Sequence, residues 1–419
     1  MENPELSRRN RIYLLATAGL VVLALIIYFV FLNKATITLE IVPKNAVFTL
    51  NNAPQPVNNS GIAKINVKPG DYTLRVEANK FVPYQQKLTL KTGSRFSQKV
   101  SLKSIPGPIL LQDGTTLVQK YGDNQISYLG NENKTLYTVS AVADSSGATT
   151  LGSKKAITPP VFSGVDRVAY SPDRALAIIK IGSDAYLYDF NRYDILHQDM
   201  KKIGTDIGEV VWAPDQNRIA YYYAPASGER SLIFADPLNQ NPQRVLSLAN
   251  INNPSLNWSK DGSTILMVPH NSQPDDNKVY VFDVYLKQLK NVTDFGGVIS
   301  VKYTEDGKHI VYFVADDGAK NPAAWVMDAS GENKRSLEIG VDPNQSFVED
   351  KGNIIFVTTI NDQQRIMLYD LNTSGIKEIY FTPPKETVYK GLFLSSDHKI
   401  VYLATNTGLY AVRYEDSEY

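Results

Sequence analysis

The 419-residue chain contains no cysteine, which excludes disulfides, thiolate zinc sites, cysteine nucleophiles and attachment through a lipidated cysteine. If the protein is exported, packing alone must hold it together. Excess charge is missing too: lysine plus arginine and aspartate plus glutamate each number 43, so a polyanion is disfavoured and no nucleic-acid partner is expected. Histidine is scarce, with only His197, His270, His309 and His398, and no H-E-x-x-H or other paired spacing sets two of them on one metal. No G-x-S-x-G pentapeptide occurs, so the serine elbow of an α/β-hydrolase is absent. Two acidic loops, Pro274–Lys278 and Ala315–Gly318, lack the twelve-residue calcium-loop pattern and read as solvated tips. On these grounds the sequence assigns no catalytic, cofactor-binding or metal-ligating residue, and no enzyme activity is expected.

Long apolar runs are equally rare, and the single exception lies at the start. Ile12–Leu32 is uncharged, and as a helix it would measure about 30 Å, the thickness of a bilayer core. Arg8, Arg9 and Arg11 precede it while Lys34 alone follows closely, so the positive-inside rule sets residues 1–11 in the cytoplasm. The expectation is an uncleaved signal anchor: a transmembrane helix over 12–32, with everything beyond it extracytoplasmic at the cell membrane. A cleaved signal peptide fits less well, because the run is long and its one small-x-small triplet, Ala16-Thr17-Ala18, falls near its beginning.

What the chain does hold is aromatic and β-branched residues, including 25 tyrosines and 15 phenylalanines, which suit pleated, half-buried surfaces. An all-β body is expected. Over residues 35–103 short alternating segments indicate strands with one wet face. Pro69-Gly70-Asp71 is a turn, at which a strand pair is expected to meet. Pro43-Lys44-Asn45-Ala46, Lys68-Pro69-Gly70-Asp71-Tyr72 and Asn79-Lys80-Phe81 resemble the PEGA domain, departing from its pattern where Asn45 and Lys80 stand in place of glycine. The resemblance implies a small β-sandwich of the kind that serves as a surface module on extracytoplasmic proteins.

From residue 161 onward one pattern returns: a strand carrying an aromatic, a small or polar residue, aspartate, then a second apolar strand. The aspartates are Asp173, Asp215, Asp261, Asp306, Asp350 and Asp397, at spacings of 42, 46, 45, 44 and 47. Spacing this even marks an internal repeat. A third strand follows in each unit, ending in a hydrophobic–aspartate pair as in Leu187–Phe190 and Val281–Val284, and then a more polar fourth. Four antiparallel strands per unit of about 45 residues describe a β-propeller blade. An irregular first unit, with its turn near Gly122-Asp123-Asn124, brings the count to seven blades over residues 105–419. The last unit lacks a fourth strand, and an open edge is an aggregation hazard. Pro108–Gln112 is therefore expected to pair with Leu409–Tyr414 and close the ring. Tyr170-Ser171-Pro172-Asp173, Trp212-Ala213-Pro214-Asp215 and Trp258-Ser259-Lys260-Asp261-Gly262 resemble the WD-like repeats of TolB-type propellers, a likeness that implies the fold and no particular function.

Within this frame the turn aspartates, Asp306 of Tyr303–Phe313 included, read as side chains that accept hydrogen bonds from turn amides. The run Tyr221-Tyr222-Tyr223 reads as a strand with one or two rings buried between blades. The functional expectation is a membrane-anchored binding or scaffold protein of the cell envelope, presenting its propeller to a protein or glycan partner. The alternative is a hydrolase or lyase acting on glycans or peptides at the central funnel, which would need carboxylates, histidines or a metal converging there.

Overall fold

The computed structural model describes residues 13, 15–23, 33–130, 134–143, 149–159, 163–192, 200–315, 322–341, 348–350, 352–360, 363–379, 381, 388–397 and 399–413. Helix occupies residue 13 and residues 15–23, and the rest of the apolar run, like residues 1–11, lies outside the described residues. Among the described residues no helix is long and apolar enough to cross a membrane. Residues 15–23 rise about 14 Å, half of a hydrocarbon core. The expected transmembrane helix over 12–32, and with it the single-pass topology that placed the body outside the membrane, is overturned: the limit is length, not polarity. The chain divides into two compact units, residues 1–105 with 415–419 and Pro106–Tyr414.

The first unit is a β-sandwich. Ala35–Val42 lies between Ile62–Val67, antiparallel, and Arg95–Ser101, parallel. The facing sheet orders Ala53–Gln55, Val47–Leu50, Gly70–Glu77 and Tyr84–Leu90. Alternation turns Ala35, Ile37, Leu39 and Ile41 inward, where they meet Phe48, Leu74 and Val76 in one core. The strands flanking Pro69 do not pair, contrary to expectation: the chain crosses there from one sheet to the other, and Tyr72 fastens the crossing by donating to the Lys68 carbonyl at 2.8 Å. Lys80, which stands where the resembled pattern has glycine, has φ 67°, a left-handed conformation that explains a glycine preference at that position.

The second unit contains, among the described residues, seven four-stranded antiparallel sheets. Their first strands are Thr115–Lys120, Val165–Tyr170, Ile207–Trp212, Ser255–Trp258, Val298–Tyr303, Val348–Asp350 and Tyr389–Leu394. First strands touch first strands at six of the seven junctions, that between the seventh sheet and the first included, and blades five and six meet through Val311, Phe313, Ile354 and Phe356, so the first strands lie innermost in a closed ring. Seven apolar clusters fill the junctions between successive sheets. Second strands are covered by neighbours on both sides, which is why Thr264–Val268 and Ile400–Thr405 read as continuous apolar runs. The unit is a seven-bladed β-propeller.

Its closure has the expected form. Gly408–Arg413 receives Ile109–Asp113 as the missing fourth strand, with Leu409 opposite Gln112 and Ala411 opposite Ile109. At the same junction the buried Tyr402 hydroxyl donates to the Asn124 carbonyl at 2.9 Å and accepts from the Ala141 amide at 3.0 Å. Ser396 adds amide and hydroxyl bonds to the Asp123 carbonyl at 2.8 and 2.6 Å. At two other junctions the aromatic that ends a first strand reaches back to the preceding blade. Trp212 Nε1 donates to the Ala169 carbonyl at 2.8 Å, and the Tyr303 hydroxyl meets Thr264 Oγ1 at 2.6 Å.

The repeated turn is a three-part device, one part of which the sequence pattern left undefined. In blades two, four, five and seven a hydroxyl two residues before the aspartate donates to its Oδ1: Ser171 to Asp173, Ser259 to Asp261 and Ser395 to Asp397 at 2.6 Å, Thr304 to Asp306 at 2.7 Å. The same hydroxyl accepts the amide five residues on, as from Thr264 at 2.9 Å. The aspartate accepts the amide two residues on, as from Lys308 at 3.0 Å. Alanine at 213 removes the hydroxyl from blade three, where Asp215 keeps the Asn217 amide at 3.1 Å and an ion pair with Arg218 at 3.8 Å. Asp350 departs from the register: it closes its strand opposite Asn353, ahead of a two-residue turn with Gly352 at φ 90°.

Two outcomes follow. Tyr402→Phe leaves the buried Ala141 amide without its acceptor and should cost roughly 1–3 kcal/mol in urea unfolding; a cost below about 0.5 kcal/mol would contradict the tether. The Ser259 hydroxyl, ahead of the Ser263 amide and hydroxyl, holds the Asp261 carboxyl below its usual range. A depressed folded value contributes stability that is complete above the unfolded aspartate pKa near 3.8 and fades as pH falls through the folded value. Ser259→Ala should therefore raise the Asp261 pKa in an NMR titration and shift acid unfolding to higher pH; an unmoved carboxyl titration would count against the device.

Candidate functional site

Antiparallel alternation gives the ring two faces. One carries the turns between strands one and two and between three and four, with all the aspartates just described. The other carries the loops between strands two and three together with the crossovers from each blade to the next. The inter-blade charged pairs and the clefts described below lie on this crossover face.

First strands begin there, and several begin with a register shift: between Val165 and Arg167, Ile207 and Val210, Val298 and Ser300, Tyr389 and Gly391. Such bulges re-aim side chains near a rim. Arg167 of blade two forms an ion pair with Glu209 of blade three, and Lys180 donates to the Ile207 carbonyl across the same junction. Burial lowers the Lys180 ammonium pKa, with Asp166 and Asp184 opposing that shift. His270, in the loop after the second strand of blade four, donates its amide to the Asn252 carbonyl at 2.9 Å. Partial desolvation, and then the Arg167 charge, lower its imidazole pKa from the ordinary 6.5, although the side chain stays exposed.

Outside this axial group lie two clefts of about 420 and 560 Å³ that share Asn252, each the size of a small-molecule site. Asp206, Gly208 and Arg230 line the inner cleft. Asn250, Asn271, Asp276, Lys278 and Tyr280 line the outer one. Their walls are cross-braced. Arg230 donates to Asn252 Oδ1, the Asn252 amide donates to Asn271 Oδ1 at 3.3 Å, and the Asn271 amide donates to Oδ1 of the buried Asn277 at 2.7 Å.

The residues weighed in the sequence fall as follows. Pro274–Asp276 forms one 3-10 turn with both aspartates exposed, and among the described residues no group of three or more histidines and carboxylates could hold a metal ion. His197, His398, Asp316 and Asp317 lie outside the described residues. His309 opens the second strand of blade five, and its backbone completes the Thr304 turn. Tyr221 and Tyr222 are buried in two different junctions, donating to Asn239 Oδ1 at 3.0 Å and to the Ile251 carbonyl at 3.3 Å. Sequence reasoning missed Arg167 and Glu209, although each stands six residues before its turn aspartate. It also missed the asparagines clustered at 250, 252, 253 and 271, a compositional signal that was open to view.

No protein-family model matches the sequence, and no curated protein matches it. Among solved structures, an oligogalacturonate lyase in complex with manganese is 11% identical over 74% of this chain and 98% of its own, with a TM-score of 0.50. The oligogalacturonate lyase of Vibrio parahaemolyticus is 9% identical over the same shares, also at 0.50. The putative TolB of Agrobacterium tumefaciens is 14% identical over 63% of this chain and 94% of its own, at 0.42. What is shared is the propeller fold. Identities this low extend the likeness no further.

For His270 the sign is definite. A base whose folded pKa is depressed binds its proton less readily folded than unfolded, so stability falls as pH drops from 6.5 toward the folded value and is unaffected above it. NMR titration should place His270 below 6.5, and Arg167→Gln should move it upward. An imidazole titrating at or above 6.5 in the wild type would contradict the packing described.

Proposed function

We propose that the protein is a non-enzymatic recognition platform whose propeller presents its crossover face to a protein or glycan. The observation that carries this reading is the pair of clefts that meet at Asn252, braced by hydrogen bonds from three separate loops on a closed ring. Preorganised walls lower the ordering cost of association, and loops on a rigid scaffold are where binding residues concentrate. In the same reading the blades are TolB-type repeats and residues 35–103 a PEGA-like surface module.

A second reading rests on His270, which lies on the same face as the Arg167–Glu209 ion pair and feels the Arg167 charge. A neutral imidazole beside a guanidinium is the pairing a glycan or peptide lyase or hydrolase would use, the base to take a proton and the cation to neutralise a carboxylate or oxyanion.

The two readings separate experimentally. Ligands selected on glycan and peptide arrays with the full chain should be lost on Asn252→Asp and kept on Tyr285→Ser, because Tyr285 is exposed on the opposite, turn-bearing face. His270→Ala should leave binding within about threefold, well under 1 kcal/mol. Ligand turnover that disappears in His270→Ala would establish the enzyme instead, and binding lost only in Tyr285→Ser would move the platform to the other face.

A further inference from the structure

The chemistry of the two clefts narrows the ligand class. Resting on the platform reading above, we propose that they take a neutral oligosaccharide, bound through hydroxyl groups on the asparagines and through one pyranose face on Tyr280.

Charge is the first consideration. Each cleft holds one acid and one base, Asp206 with Arg230 and Asp276 with Lys278, so neither carries net charge. The Arg230 guanidinium is turned to Asn252 Oδ1. A polyanion entering either cleft would meet a carboxylate for every cation.

Hydrogen-bonding type is the second. Asn250, Asn252, Asn271 and Asn291 supply carboxamides, and a carboxamide offers two donors and an acceptor in one plane. Sugar hydroxyls donate and accept at once, and they satisfy both ends of such a group. The bracing leaves the donors available: Asn252 and Asn271 spend their Oδ1 atoms on Arg230 and on the Asn252 amide, while among the described residues their NH₂ groups donate to nothing. Those NH₂ groups are held in place at no cost to the ligand.

Apolar surface is the third. Among the described residues Tyr280 is the one aromatic ring on the outer cleft, half-buried, its inner side packed with the cluster between blades three and four. Protein hot spots need several buried aromatic or arginine anchors ringed by apolar contacts, and the outer cleft offers a single ring. One ring with many amides suits a sugar better than a protein segment.

The test uses the full chain and calorimetric titration with neutral oligosaccharides of the gluco-, manno-, galacto- and chito- series, with an oligogalacturonate as acidic counterpart and an array-selected peptide as protein counterpart. At least one neutral series should bind saturably, with an affinity that changes less than about twofold between about 50 and 500 mM NaCl, since no ion pair is formed. Asn252→Asp and Asn271→Asp keep the bracing Oδ1 but turn the NH₂ donors into a charged acceptor oxygen, so the walls persist and affinity should fall at least tenfold in each, and Asn252→Ser and Asn271→Ser, which remove the donors without adding charge, should lower it in the same direction. Tyr280→Ala should lower it similarly, and Tyr285→Ser should not change it. If no neutral series binds, or if only the oligogalacturonate binds and salt releases it, the proposal is wrong. Peptide binding that Asn271→Asp abolishes, without sugar binding, overturns the sugar assignment and leaves the platform reading intact. Binding that survives both aspartate variants overturns the two together.

Discussion

Everything in the second unit depends on one antiparallel pairing, Ile109–Asp113 against Gly408–Arg413. A propeller blade cannot bury both faces of its sheet alone; each relies on neighbours to either side. Without the borrowed strand the seventh blade would expose an unpaired edge, and the cluster it shares with blade one, which includes Leu111, Tyr128, Tyr402 and Leu409, would lose a wall. With it, all seven junctions are equivalent and the chain needs no disulfide. Full burial of a side chain such as Leu409 contributes about 1.5–3 kcal/mol, and each junction holds at least six such residues, so closure converts seven marginal sheets into one cooperative body.

Much of this was legible in the sequence because the repeat is enforced by backbone chemistry. A turn in which Asp261 must accept the Ser263 amide tolerates few alternatives, so the aspartate recurs at nearly constant spacing, and the borrowed strand follows from counting blades. Where the physics is not local, the sequence misleads. Asp350 has the right spacing and a different turn, since a two-residue hairpin can replace the longer one without moving the flanking strands. Pro69-Gly70 has the composition of a hairpin turn yet links two sheets, because pairing partners are chosen by which apolar face meets which. Apolarity over 12–32 sets a lower bound on membrane affinity, but spanning is a question of helix length, and the described helix is too short.

The candidate site was the least legible part. Arg167 and Glu209 lie in different blades, and only the ring brings them together; the register relative to the turn aspartate is the sole trace of it in one dimension. The asparagines of the clefts look like ordinary loop residues until the crossover at 249–253 is folded against the loop at 270–278. Once it is, hydrogen bonds among backbone and side chains fix the two loops to each other and leave amide donors facing outward. Rigid walls, balanced charge and unspent donors are properties of that junction, and all of them rest on the ring holding blades three and four at a fixed angle.

Closure is therefore the quantity to measure. The chain has no native cysteine, so an engineered pair reports only on itself. Leu110 and Tyr410 face each other across the borrowed strand, within the Cα separation of about 4.4–6.8 Å that a disulfide accepts. Leu110→Cys combined with Tyr410→Cys should form an intrachain disulfide on mild oxidation of the folded protein, with a raised melting temperature. Two free thiols in the folded chain, or cross-linked dimers alone, would contradict the closed ring.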